Sequence, residues 1–325
     1  MRMLSVFLML FAAANAAQTA PALVSVTRIW DGGVHNAFTD LIRWRNRWYC
    51  TFREGDDHVG GNGRLRVLSS ADGETWTSTA LVGEAGIDLR DPKLSITPDD
   101  RLMMVAGGSV YEGKRYVGRQ PRVMFSSDGT TWSPPQRILA EGDWLWRVTW
   151  HEGLAYGVTY KAASGDAAEW TATLMSSRDG RTFDEVTTFA VPGRPNETTL
   201  RFMPDGEMVA LVRREAGNRF AWMGRSRAPY TTWTWRETQQ PIGGPNFIRL
   251  PDGQLWASGR SSSDGPKTAV GRLSLDGRYE PALTLPSGGD TSYPGMVWHD
   301  GLLWLSYYAS HEGKTAIYLA RVKVR

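Results

Sequence analysis

Cysteine is nearly missing from this sequence. Cys50 stands alone among 325 residues, which excludes an internal disulfide framework and a cysteine-rich zinc site. Long apolar runs are missing as well. The most apolar stretch, 4–14, is about half the ~20 residues that a membrane-crossing helix needs, so no membrane span is expected. Charge of one sign is not in excess: 37 Lys and Arg against 34 Asp and Glu leave +3. That balance does not suit a protein that grips nucleic acid through a basic face, although a pI near 9 leaves room for a local patch. Helix-period segments of ten or more residues are absent too. A hydrophobic content of 41% nevertheless argues for a folded core rather than disorder.

What the chain does have begins with an export signal. Met1–Ala16 carries a short positive start at Arg2, an apolar stretch of about 11 residues, and Ala14-Asn15-Ala16 as a small-x-small cleavage pattern. Residues 17–325 are then a single mature domain, secreted or periplasmic. A lone cysteine suits an oxidising compartment, having no internal partner with which to mispair.

The mature chain is repetitive. A turn, a short apolar run and a polar end recur as Asn46–Arg53, Asp100–Ala106, Gly153–Tyr160, Gly206–Arg213, Gly253–Arg260 and Gly301–Tyr308. A period of roughly 50 residues is a propeller or solenoid signature. Each run is of strand length and follows a hairpin-type turn such as Pro204-Asp205-Gly206 or Pro251-Asp252-Gly253. A second pattern falls in the same units: Ser70-Ala71-Asp72-Gly73-Glu74-Thr75-Trp76, then Ser126–Trp132, then Ser177–Phe183, with a decayed copy at Ser274-Leu275-Asp276-Gly277. Its Asp accepts from turn N–H groups, its Gly takes positive φ, and its aromatic plugs between sheets.

These turns resemble the Asp-box (BNR repeat) of the sialidase superfamily, one residue shorter than the usual form. The resemblance implies an all-β, six-bladed β-propeller whose ring closes by pairing Val24–Thr27 with the last strand near 317–324. Inner strands of a propeller converge on one axis, where a funnel takes a small ligand. Their ends carry Asp40, Arg90-Asp91, Arg147, Glu197, Asn246 and Asp290–Tyr293, and the outgoing strands carry Arg53-Glu54, Tyr160-Lys161, Arg213-Arg214, Arg260 and Tyr307-Tyr308. So many charges around one axis need partners or a polar, anionic or polyhydroxylated ligand.

Sialidases use three arginines, a Tyr nucleophile activated by a Glu, and a loop Asp as acid and base. By resemblance Tyr293 is the nucleophile, Glu197 its base, Arg213 and Arg260 the second and third arginines, and Asp57 the acid–base residue, with Asp56 one residue off. The first arginine is missing, since Ala37-Phe38-Thr39-Asp40-Leu41 stands in its place. Arg53 or Arg90 is expected to compensate from nearby, Arg90 and Asp91 to contact ligand, and Trp144 and Trp146 to stack on a sugar face. His151-Glu152 and His311-Glu312 lack the company of further ligands, so no metal is expected, and no cofactor is implied. The leading expectation is a monomeric, exported, retaining exo-glycosidase acting on an acidic or modified glycan. A uronate lyase, a neutral-sugar hydrolase and a non-catalytic glycan-binding propeller stay open beside it.

Overall fold

The computed structural model describes residues 20–60, 62–162, 169–261 and 265–324, so the Met1–Ala16 export segment lies outside the described residues. The described residues form six four-stranded antiparallel sheets and no helix. All six apolar repeats are second strands of their sheets: Arg47–Gly55, Leu102–Glu112, Leu154–Ala162, Met208–Arg214, Leu255–Ser261 and Leu302–Ala309. Each is preceded by an innermost strand, reached through a tight turn: His35–Trp44, Asp88–Ile96, Trp144–His151, Pro195–Phe202, Gly243–Arg249 and Thr291–His299. Blades one to five run outward in chain order. Blade six takes its outermost strand, Ala22–Trp30, from the other end of the chain, with Ser25 opposite Arg321, Val26 opposite Ala320 and Thr27 opposite Leu319. That pairing closes the ring where an open sheet edge would otherwise remain.

The Ser-x-Asp-Gly turns act as rivets between blades. Asp72 Oδ1 accepts the N–H groups of Glu74 and Thr75 at 2.8 and 2.9 Å, and Asp128 and Asp179 repeat the pattern. Gly73, Gly129 and Gly180 take φ of 78°, 76° and 72°, and each lies against a side chain of the preceding blade: Trp304, Tyr49 and Met103. A Cβ there would meet both backbone strain and a neighbour, which is why glycine is needed. Trp48 and Trp304 stack at 4.5 Å across the junction of blades one and six.

Every innermost strand bulges at the same level. Two residues oppose one between Ala37 and Asp40, Arg90 and Lys93, Leu145 and Val148, Pro195 and Thr198, Gly243 and Asn246, and Ser292 and Gly295. In four blades the first inserted residue has positive φ: Phe38 (63°), Asp91 (51°), Gly244 (59°) and Tyr293 (54°). A bulge bends a strand and re-aims its side chains. Here it turns Phe38, Asp91, Glu197 and Tyr293 toward one cleft near the axis.

Beneath that cleft lies a buried polar pillar. Asp40 accepts Arg147 Nη1 on both oxygens, at 2.9 and 2.8 Å, and Leu94 N–H at 2.7 Å. Lys93 Nζ donates to the carbonyls of Thr39 and Pro92 at 3.1 and 3.3 Å. Burial pulls Lys93 down to about 8, against the pull of Asp91 and Asp40. Asp40, which seemed from sequence to replace an arginine, thus belongs to an ion pair binding blades one, two and three.

Removing Asp40 leaves the Arg147 charge buried and unmatched. Asp40→Ala is expected to cost about 3–5 kcal/mol in urea unfolding. Glu112→Ala, which breaks the exposed pair with Arg115, is expected to cost less than about 1 kcal/mol. Equal losses for the two variants count against the pillar.

Candidate active site

Tyr293 enters the cleft from the bulge of blade six. Its ring is packed edge-on by Phe38 at 5.2 Å and by Trp146 at 5.5 Å. A tyrosine at φ 54° is backbone strain, and it persists only where packing over-determines it. The Tyr293 hydroxyl donates to Glu197 Oε1 at 2.7 Å and accepts from Arg213 Nη1 at 3.0 Å. The same Arg213 nitrogen donates to Glu197 Oε2 at 2.5 Å, and Gly244 N–H donates to that oxygen at 2.9 Å. Arg213 Nη2 pairs with Glu215. Arg213 lies in the second strand of blade four, opposite the Asn196–Glu197 bulge, so register alone brings the pair together.

The electrostatics follow from this arrangement. Burial pushes the Glu197 carboxyl up, but Arg213, the Tyr293 hydroxyl and Arg260 overcome it and hold Glu197 below its ordinary value. Burial and the Glu197 charge push the Tyr293 phenol up, outweighing Arg213 and Arg260. The dyad is therefore a neutral phenol facing an ionised carboxylate. Asp91 behaves differently. Burial raises it despite Lys93 and Arg90, and its Oδ1 is buried with no hydrogen-bond partner among the described residues.

The cleft, about 260 Å³, is lined by Tyr293, Glu197 and Asp91, and by Arg90, Phe38, His58, Trp144 and Tyr160. The Arg90 guanidinium lies over the Phe38 ring at 4.9 Å. Arg260 sits 5.8 Å from the Tyr293 ring centre, and with Arg213 it also borders a neighbouring recess of about 150 Å³.

Three sequence expectations need correction on position. Arg53 is fully buried, donating to Asp88 Oδ1 and to the Asp57 carbonyl at 2.7 Å each. It braces the loop from beneath and offers nothing to a ligand. Asp57 is exposed and does not line the cleft; its carboxylate accepts the N–H of His58 at 2.7 Å. A tight loop turned the carboxylate outward, which chain position could not foretell. Trp146 is 1% exposed beneath Tyr293, a support rather than a sugar platform.

Some site residues escaped sequence reasoning. Gly244 is one: a Cβ there would lie 2.8 Å from the Tyr293 ring, and its N–H holds Glu197. The Gly243-Gly244-Pro245 run was the available signal. His35 and His58 are others, and they meet Asp290, which the sequence placed at the end of an inner strand without a role. His58 Nδ1 and His35 Nε2 lie 2.7 and 2.9 Å from the same Asp290 oxygen, and the three donor atoms lie within 4.8 Å of one another, a spacing compatible with a metal ion.

No protein-family model matches this chain, and no curated protein matches it in sequence. Solved structures do. A Dyadobacter fermentans protein of unknown function superposes with TM-score 0.84 at 20% identity, covering 94% of this chain and 100% of that one. A Trypanosoma rangeli sialidase bound to the inhibitor DANA gives TM-score 0.68 at 12% identity, over 93% of this chain and 60% of that one. This chain has the sialidase-type propeller fold. The same propeller recurs in an α-L-arabinofuranosidase from Fusarium graminearum bound to an iminosugar inhibitor, with TM-score 0.72 at 14% identity over 93% of this chain and 98% of that one. The fold thus carries more than one sugar chemistry, and the substrate has to be argued from the side chains.

The depressed Glu197 carboxyl has a signed consequence. Its folded value lies below the ordinary 4.5, so its contribution to stability is complete above 4.5 and is lost as pH falls through the depressed value. Glu197→Gln is therefore expected to lower stability most at neutral pH, with the deficit shrinking below pH 4.5. Chemical denaturation across that range checks it; a deficit independent of pH speaks against an ionised Glu197.

Proposed function

We propose that this propeller is an exported, retaining exo-glycosidase with Tyr293 as nucleophile and Glu197 as its base. The observation that carries the reading is the 2.7 Å hydrogen bond from the Tyr293 hydroxyl to an ionised Glu197. A phenol is a poor nucleophile while it keeps its proton, and a base within hydrogen-bond reach removes that proton as the new bond forms. Glu197 takes the proton, the Tyr293 oxygen attacks the anomeric carbon, and Arg213 stays on the developing phenolate. A neutral nucleophile also avoids the repulsion that a carboxylate would feel from an anionic sugar.

The substrate is an acidic or otherwise modified glycan. Arg213 and Arg260 lie against Tyr293, Arg90 lies over the neighbouring Phe38 ring, and the three suit carboxylate or clustered hydroxyl oxygens. The unpartnered Asp91 oxygen calls for a hydroxyl or amine donor on the sugar. The missing first arginine removes one guanidinium from the clamp that a sialic acid carboxylate meets in sialidases, so an ordinary sialoside is a poor fit. Arg90, stationed on the Phe38 ring, shifts the anion-binding side of the cleft toward blade two.

A panel of sialosides, uronides and neutral glycosides tests this. At least one glycoside is expected to be cleaved with retention of anomeric configuration, read by NMR of the first product. Tyr293→Phe keeps the ring packing and is expected to lower turnover by a factor on the order of 10³ or more with little change in melting temperature. Inversion of configuration, an unsaturated uronate product, or wild-type turnover by Tyr293→Phe overturns the mechanism.

A further inference from the structure

Attack by Tyr293 expels a sugar oxygen that needs a proton, and with Asp57 turned outward the cleft must find its acid elsewhere. We propose that His58, oriented by Asp290, is the acid–base residue of this site; the assignment rests on the nucleophile reading above.

Four observations lead to it. His58 lines the same cleft as Tyr293, Glu197 and Asp91. Its Nδ1 lies 2.7 Å from Asp290 Oδ2. An ionised carboxylate only accepts, so Nδ1 carries the hydrogen and Nε2 is the nitrogen left for substrate. Asp290 is itself held: Oδ1 accepts the Tyr308 hydroxyl at 2.8 Å, and Oδ2 also accepts His35 Nε2 at 2.9 Å. These donors keep Asp290 ionised, well below the usual carboxylate range, although burial opposes them. Finally, the His58 ring packs edge-on to Phe38 at 5.2 Å, the same separation as Phe38 from Tyr293. Phe38 is thus a spacer between the nucleophile and the imidazole.

Asp91 is the competing acid in the cleft. It is buried, whereas the His58 side chain is 44% exposed. The group that donates to the leaving oxygen must then take a proton from incoming water, and access to water favours His58. The charged and titratable groups facing His58 are Asp290, His35, Asp57 on its own loop, and Asp91 with Arg90 on blade two.

The steps balance. Protonated His58 donates its Nε2 hydrogen to the glycosidic oxygen as the bond from that oxygen to the anomeric carbon breaks. Tyr293 oxygen bonds to that carbon, and the phenol proton moves to Glu197. Neutral His58 then takes a proton from water, the hydroxide oxygen bonds to the anomeric carbon, the Tyr293 bond breaks, and Glu197 returns the proton to the phenol.

The test uses phenyl and dinitrophenyl glycosides of the sugar identified by the panel. His58→Gln is expected to slow the phenyl glycoside about 10²–10⁴-fold while sparing bond cleavage in the dinitrophenyl glycoside, which needs no acid. Azide should restore turnover of the latter, giving a glycosyl azide of retained configuration. Tyr293→Phe should slow both glycosides alike, so its failure indicts the nucleophile and not His58. Wild-type rates for His58→Gln on the phenyl glycoside overturn the assignment, as does a leaving-group-dependent loss in Asp57→Asn or Asp91→Asn instead. A readout without substrate runs in parallel: nitrogen NMR of the imidazoles should show neutral His58 protonated at Nδ1, with that preference lost in Asp290→Asn. The opposite tautomer in the wild-type protein overturns the proposal even if no glycoside is cleaved.

Discussion

Two residues set against one, at the same depth in each inner strand, is the constraint from which the centre of this molecule follows. A regular strand would send alternate side chains into the flanking blades. The bulge breaks that alternation once per blade, and in blades one, two, four and six it turns Phe38, Asp91, Glu197 and Tyr293 to a common cleft. The cost is a set of strained backbones, among them Phe38, Asp91 and Tyr293. The packing that holds them there is supplied by aromatic rings and by the Asp40–Arg147 pillar beneath.

The electrostatic design is layered. Deep in the axis, charges cancel one another and serve stability: Asp40 with Arg147, and Lys93 on backbone carbonyls. One level higher the cancellation is incomplete. Arg213 is shared between Glu197 and Glu215, Tyr293 lends its hydroxyl to the same network, and an Asp91 oxygen has no partner among the described residues. A buried polar atom without a partner costs free energy in the empty cleft, and a ligand that supplies the missing donor recovers it.

Blade architecture and the dyad were legible for a physical reason: both are short-range or periodic. Turn, strand and turn recur in register with the sheet, and Glu197 and Arg213 are neighbours across a single hairpin. Ring closure by the first strand was legible because a propeller tolerates no open edge. Side-chain direction within a loop was not. Asp57 and His58 are adjacent in sequence, yet one carboxylate caps its own loop in solvent while the next side chain lines the cleft. That choice is made by Arg53, which reaches from the second strand of blade one to the loop carbonyl, and by Asp290, contributed from the far end of the chain.

The chain by itself determined six sheets, their turns, and which strand ends carry phenol, carboxylate and guanidinium groups. Periodicity and local hydrogen bonding are written in residues that lie close together. Only the closed ring decided that Phe38 packs between Tyr293 and His58, that Arg53 is a brace, and that Asp290 meets two histidines from blade one. Those contacts join residues more than two hundred positions apart, or depend on which way a side chain turns, and they are settled when blade one packs between blades six and two.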